Sequence, residues 1–336
     1  MNKPVTILTG FLGSGKTTFL NHLLQQNPKT RYAIIENEFG EQGIDGELVV
    51  RPDETIVELN NGCLCCTLND NLYDILNDLF DRREDFDEIV IEATGVADPT
   101  GLAQPFVSHP LIKEHFPLQG VICLVDAELV EDQLKDTEEA KSQIAYSDVL
   151  LISKTDLVDP DYVKELGHRL RSLNPLAKIM TGNREAFPLI ELEAQESPLE
   201  ALLAPTEEQL NAAETAFPVA KPHSHHHHHH TEEIVSYSFQ FDRPFDHKML
   251  EQQLFIFLMV QNASLYRMKG LVWLDTLEER YLIQSVGNRL DLEPKDSWAE
   301  GEKRQSVFVF IGKKLNREGL EKLLNQCLSK PSPIEK

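Results

Sequence analysis

Three of the chain's five cysteines fall within four positions of the stretch NNGCLCCTLNDNL, residues 60–72: Cys63, Cys65 and Cys66. Cys63 and Cys66 stand in C-x-x-C spacing, which lets one turn present two sulfurs to a metal at about 2.3 Å, with loss of their protons on binding. Redox chemistry or chance would also produce that spacing. A closed structural zinc site needs four nitrogen or sulfur ligands, and the chain holds no second cysteine pair. Cys123 sits inside the apolar run GVICLVDA and Cys327 in an amphipathic stretch near the end, so both read as core. Carboxylates or exchangeable ligands would have to complete the thiol site. Glu36 and Glu41 of IIENEFGEQGID are the candidates, with Glu38 two residues from Glu36 and so on the same face of a strand.

A second constellation lies at the N-terminus. In TGFLGSGKTTF, Gly10, Gly15, Lys16 and Thr17 have the spacing G-x-x-x-x-G-K-[ST] between an expected strand and an expected helix. Gly10, Gly13 and Gly15, with Ser14 between the last two, let backbone N–H groups turn around phosphate oxygens, and the helix N-terminus adds its positive end. Lys16 would neutralise β and γ phosphates, the Thr17 hydroxyl would bind Mg²⁺, and Thr18 continues the cradle. EATG closes a later strand with Glu92, a carboxylate able to orient Mg²⁺ or its water, and Gly95, whose N–H could meet a γ-phosphate. SKTD, residues 153–156, resembles the NKxD element with which GTPases read guanine. Asp156 would accept from the ring N1–H and the amine, and the Lys154 stem would lie along the base. Ser153 replaces the usual Asn. Lys16, Thr17 and Glu92 are thus the candidate catalytic set, and GTP is expected over ATP.

These residues need strand ends to carry them. VTILTG (5–10), YAIIENEFG (32–40), DEIVIEATG (87–95), GVICLVDA (120–127), DVLLISKTD (148–156) and AKIMTGN (177–183) read as buried strands. KTTFLNHLLQQ, LNDNLYDILNDLFDRR, EEAKSQIAYS and PDYVKELGHRLRSLN lie between them as helices. Such alternation predicts an α/β domain over 1–183, a parallel sheet with helices on both faces and its ligands beyond the carboxyl ends of the strands. Residues 184–232 form an acidic, Pro-containing linker that ends in a histidine run. A smaller α+β domain is expected over 233–330. Its strands are IVSYSFQFD (234–242), SLYRMKGLVWLD (264–275), RYLIQSVGNRLDLE (280–293) and SVFVFIGKKL (306–315), with helices over 246–260 and 317–329.

The formal net charge is −23 with histidines neutral. So acidic a surface repels nucleic acid and anionic membranes, and neither is expected as a partner. No apolar run approaches the roughly 18–20 residues that span a bilayer. The opening MNKPVTILTGFLGSGK lacks the order of a signal peptide, so the expected compartment is the cytoplasm, where thiols stay reduced. In HSHHHHHH, residues 223–230, His223 and His225, His226, His227, His228, His229 and His230 offer imidazoles that bind Zn²⁺ and its neighbours near pH 7. On a flexible segment they could gather metal and pass it on; a solvated polar linker is the alternative to that reading.

GFLGSGKTT, ENEFGE, NGCLCC, EATG and SKTD, in this order, resemble the CobW-like family of P-loop GTPases. YRMKGLVWLD and SVFVFIGKKL are similar to that family's second domain, so the resemblance spans nearly the whole chain. It implies a metal-dependent GTPase that delivers metal to a client metalloprotein. Zinc is the usual cargo, with Co²⁺ or Fe²⁺ in some branches. Cys63, Cys65 and Cys66 would be the motif thiols, with Glu36 and Glu41 as acidic ligands nearby. Gly13 to Thr18 would hold phosphates and Mg²⁺, and Lys154 with Asp156 the base. No residue matches a water-orienting glutamine, so slow hydrolysis accelerated by metal or partner is expected. Two other classes stay open: a zinc buffer or sensor with incidental hydrolysis, and a P-loop kinase acting on a small molecule. A monomer and a homodimer are both compatible with the sequence.

Overall fold

The computed structural model describes residues 2–36, 56–58, 68–188, 199, 234–261, 264–299 and 301–330. The chain divides into two compact units, Met1–Gln195 with Ser285–Asp291, and Glu196–Gln284 with Leu292–Lys336. From 189 onward the expected linker lies outside the described residues, Leu199 apart.

Among the described residues the first unit is built on a seven-stranded sheet. Its strands are β1 (Val5–Gly10), β2 (Tyr32–Glu36), β3 (Ile56–Glu58), β4 (Glu88–Glu92), β5 (Leu118–Asp126), β6 (Val149–Ser153) and β7 (Lys178–Thr181), in the order β3-β2-β4-β1-β5-β6-β7. Every pairing is parallel. Its helices are α1 (Lys16–Gln26), α2 (Leu68–Asp81), α3 (Pro99–Ser108), α4 (Pro110–His115), α5 (Val130–Asp136), α6 (Glu138–Tyr146) and α7 (Pro160–Leu173). Strand side chains alternate between two cores, as the two-residue period of a strand requires. Ile7, Ala33, Ile35, Ile89 and Ile91 pack with Leu76 of α2 and Phe106 of α3. Leu8, Ile34 and Val90 turn the other way, onto Phe19, Leu20 and Leu24 of α1. With apolar layers on both faces the strands read as unbroken apolar runs, which is why six of them were visible in the sequence.

Strand β3 and helices α3, α4 and α5 were not anticipated. Three residues of β3 are too few to show a period. Helix α3 carries Pro105 in its interior, which masks a proper start: the Asp98 carboxylate accepts from the Thr100 N–H at 3.0 Å, with Pro99 at the first position. Asp159 and Pro160 open α7 in the same way, and there the uninterrupted pattern behind them made the helix legible.

The second unit carries a five-stranded sheet in the order β11-β10-β9-β12-β8. Its elements are β8 (Ile234–Phe241), α8 (His247–Gln261), β9 (Leu265–Trp273), β10 (Glu279–Val286), β11 (Arg289–Ser297), β12 (Ser306–Lys313) and α9 (Arg317–Gln326). The stretch 280–293, expected as one strand, is two, turned at Gly287 with φ 59°. Strand β12 pairs antiparallel with both β8 and β9, and Phe308 and Phe310 on it are fully buried. Among the described residues no helix is long and apolar enough to cross a membrane.

One buried side chain of the first unit fastens two helices at once. The Asn174 amide, at the end of α7 and fully buried, donates to the Ile144, Ala145 and Ser147 carbonyls at 2.8, 3.2 and 2.9 Å, while its oxygen accepts from the Leu176 N–H at 3.0 Å. Removing it leaves several buried polar groups without a partner. Asn174→Ala is therefore expected to cost about 2–4 kcal/mol in urea unfolding; an unchanged midpoint would show that the network contributes nothing.

Candidate functional site

The carboxyl ends of β1, β4, β5 and β6 carry the residues predicted for the nucleotide. The chain runs from β1 to one side of the sheet and from β4 back across β1 to β5, so the order reverses there, the place where such sheets bind ligands. After β1 the loop turns through Gly10, Gly13 and Gly15, with φ of 139°, 74° and 96°, into α1. At Gly10 the backbone leaves no room: a Cβ would stand 2.5 Å from the Leu124 carbonyl oxygen of β5. A Cβ at Gly13, by contrast, would meet nothing within 4 Å, so the loop is open there.

Lys16, the first residue of α1, is folded back over this loop. Its ammonium donates to the Gly10 carbonyl at 2.9 Å and the Phe11 carbonyl at 3.3 Å. Burial pulls it below the ordinary lysine range, while the neighbouring Glu92 works in the opposite direction. The Thr17 hydroxyl donates to Glu92 Oε1 at 2.9 Å, joining the start of α1 to the end of β4. A hydroxyl and a carboxylate brought together beside a helix N-terminus suit a hard divalent cation and its waters. Ser14 Oγ, Thr9 Oγ1 and Thr94 Oγ1 are buried without a hydrogen-bond partner among the described residues. Orphan hydroxyls in the phosphate loop and near the ends of β1 and β4 fit an oxygen-rich ligand, as GTP with Mg²⁺ would be.

Gly95 closes the opposite wall. A Cβ there would lie 2.6 Å from the Leu12 nitrogen, so the chain after β4 lies directly on the phosphate loop. Gln143 of α6, itself buried, holds that segment by donating to the Gly95 and Ala97 carbonyls at 3.1 and 3.2 Å.

On the far side, Ser153 at the end of β6 donates its hydroxyl to the Ser14 carbonyl of the phosphate loop at 2.7 Å. The departure from Asn at this position therefore keeps a donor, and that donor ties the SKTD turn to the loop. Lys154 follows with φ 55°, and Asp156 lies exposed in a short 3₁₀ turn, Thr155–Leu157. Asp126, which ends β5, was overlooked in the sequence although it closes GVICLVDA as Glu92 closes DEIVIE. Its carboxylate is fully buried and meets the Lys154 ammonium at 2.6 Å.

The metal-binding candidates are placed only in part. Glu36 is the last residue of β2, and its backbone is in register with Glu92 of β4. Glu41, Cys63, Cys65, Cys66 and the histidines of 223–230 lie outside the described residues, as does Glu38. The thiol motif is flanked by β3, which ends at Glu58, and α2, which begins at Leu68. Among the described residues no three His, Cys, Asp or Glu side chains group as a metal site.

Residues 4–181 match the family described as CobW/HypB/UreG, nucleotide-binding domain, and 234–328 match the cobalamin synthesis protein cobW C-terminal domain. The zinc chaperone YjiA of Escherichia coli (strain K12) is 35% identical over 318 residues, spanning 94% of this chain and 95% of that protein. The zinc chaperone CobW of Pseudomonas aeruginosa is 31% identical over 361 aligned positions, covering 97% and 92% of the two chains. The crystal structure of Zn(II)-bound YjiA GTPase from E. coli superposes with a TM-score of 0.68 at 29% identity, covering 98% of this chain and 100% of that one.

The Gly95 contact yields a direct test. Gly95→Ala would force the segment off Leu12 by several tenths of an ångström and is expected to lower the GTP turnover number by roughly a hundredfold, the scale of losing one preorganised backbone donor. GDP affinity, measured by fluorescence titration, should stay near wild type; equal loss of both would assign Gly95 to folding.

Proposed function

This chain belongs to the CobW/HypB/UreG family of P-loop GTPases, and on that premise we propose that it is a cytoplasmic metallochaperone whose GTP hydrolysis drives release of a transition metal, zinc first, to a client protein. The observation that carries this reading is the sheet register. Glu36, which leads into the metal motif, pairs with Glu92, which serves the nucleotide, on adjacent strands. One strand spacing, about 4.8 Å, separates the two backbones at these residues.

In this reading Gly10 to Thr18 wrap the phosphates, Thr17 and Glu92 would hold Mg²⁺, and Gly95 offers its N–H to the γ-phosphate. Bound Mg²⁺ would supply charge neutralisation between the β and γ phosphates. Lys16 does the same from the protein side, and its partly desolvated ammonium makes that interaction stronger than it would be in water. Lys154 and Asp156 take the guanine. Cargo metal sits on Cys63, Cys65 and Cys66 with Glu36 and Glu41, a set without a fourth nitrogen or sulfur and so one that releases metal readily. The histidines of 223–230 gather metal loosely beforehand. Loss of the γ-phosphate would free the segment after β4, and the pairing of β2 with β4 would pass that change to Glu36, loosening the carboxylate ligands.

The test is GTPase activity titrated with Zn²⁺, Co²⁺, Ni²⁺ and Fe²⁺, in wild type, in Cys65→Ala and Cys66→Ala, and in a chain lacking 223–230. Zn²⁺ should raise turnover in wild type. Each cysteine variant should lose zinc affinity by roughly tenfold or more while binding GDP normally, and the deletion should lower the number of metals bound but keep the stimulation. Turnover indifferent to every metal would leave a zinc buffer in place of a chaperone.

A further inference from the structure

Lys154 has the left-handed backbone that side chains other than glycine's rarely adopt, with φ 55°. Such a conformation persists only where the surroundings fix it, and it concentrates at functional sites. Three contacts fix it here. The residue before it, Ser153, is bound to the Ser14 carbonyl at 2.7 Å. The residue after it, Thr155, donates its hydroxyl to the Gly182 carbonyl at 3.1 Å. Its own ammonium is held 2.6 Å from Asp126 Oδ2.

Asp126 is unusual in its own right. Its side chain is 0% exposed, whereas that of Lys154 is 34% exposed. The other carboxylate oxygen, Oδ1, accepts from the Glu128 N–H at 3.0 Å. A buried carboxylate is unfavourable unless paired and hydrogen-bonded, and a lysine on the surface needs no partner to be soluble. The pair therefore serves poorly as a device for stability. What it does achieve is to hold a flexible four-carbon stem to one course, from the SKTD turn to the end of β5.

We propose that Asp126 is a positioning residue for base recognition: it holds the Lys154 stem as a ready-made platform for the guanine ring, so that binding need not order that side chain. The inference rests on the reading of Lys154 and Asp156 as the base site. The platform acts on the base alone, because the phosphates are held by the loop from Gly10 to Thr18. Asp126 thus contributes to affinity for guanine nucleotides and not to affinity for the phosphate chain, by removing an ordering cost from the binding step.

Asp126→Asn keeps the shape and an acceptor for the Glu128 N–H, but sets an amide dipole beside the ammonium in place of a charge. Its affinity for GDP should fall about tenfold by fluorescence titration, the order expected from freeing one long side chain, while calorimetric affinity for inorganic tripolyphosphate stays at the wild-type value. Asp126→Asn combined with Lys154→Met leaves no buried unpaired charge and should bind GDP no more weakly than Lys154→Met alone. This comparison decides the matter even where the single Asn variant fails to fold. Wild-type GDP affinity in Asp126→Asn, an equal loss of tripolyphosphate binding, or additive losses in the double variant would each overturn the proposal. A wild-type chain that binds ATP as tightly as GTP would remove the guanine reading itself, and the inference with it.

Discussion

The Leu124 carbonyl of β5 stands where a side chain at residue 10 would have to be, 2.5 Å from its Cβ. This close approach of two backbones decides where the first strand stops. With φ 139° at Gly10 the chain leaves the sheet at once, turns, and begins α1 at Lys16. The Ser14 carbonyl then falls within reach of Ser153, two strands away in the sheet order, and Leu12 becomes the surface on which Gly95 rests. The contact needs no side chain at the position where it is tightest, and the polar bonds around it fasten an arrangement that sterics had already selected.

The first unit was legible in the sequence where its strands were long and buried on both faces. Six parallel strands showed as apolar runs, and their ends carried the polar residues that mark a site at a sheet's carboxyl edge. Pattern failed where it was too short or interrupted: three residues of β3 have no visible period, and Pro105 conceals α3 behind a correct Asp98–Pro99 start. The site divides in the same way. Lys16 and Thr17 follow from a spacing rule whose physics is local, and Glu92 with Gly95 from the polar end of an apolar run. Asp126 closes an apolar run as Glu92 does, but no glycine follows it as Gly95 follows Glu92. It becomes significant only when β5 and β6 are set side by side, with Asp126 in register with Ser153 and one residue from Lys154. Ser153 looked like a loss against the usual Asn, because a motif records residue types and not the carbonyl that a donor must reach.

Electrostatics gives the same edge a local character opposite to that of the whole molecule. A chain of net charge −23 repels a nucleoside triphosphate at long range, and salt screens that repulsion over about 10 Å. At contact distance the balance inverts. The helix N-terminus at Lys16, the turned N–H groups of the loop and a lysine desolvated by burial all favour anionic oxygen. The negative surface that opposes nucleotide approach also concentrates divalent cations, so the two ligands of the proposed cycle meet contrary fields on one protein.

The two cysteines outside the motif are closed to chemistry. Cys123 lies within β5 and Cys327 at the end of α9, both buried, and burial pushes their thiols up to about 12 and about 11. Neither forms a thiolate near neutrality, so neither competes for soft metals or for electrophiles. Folding therefore withdraws two of the chain's five sulfurs from reaction. A thiol reagent added to the native protein therefore spares Cys123 and Cys327, and their reaction reports unfolding.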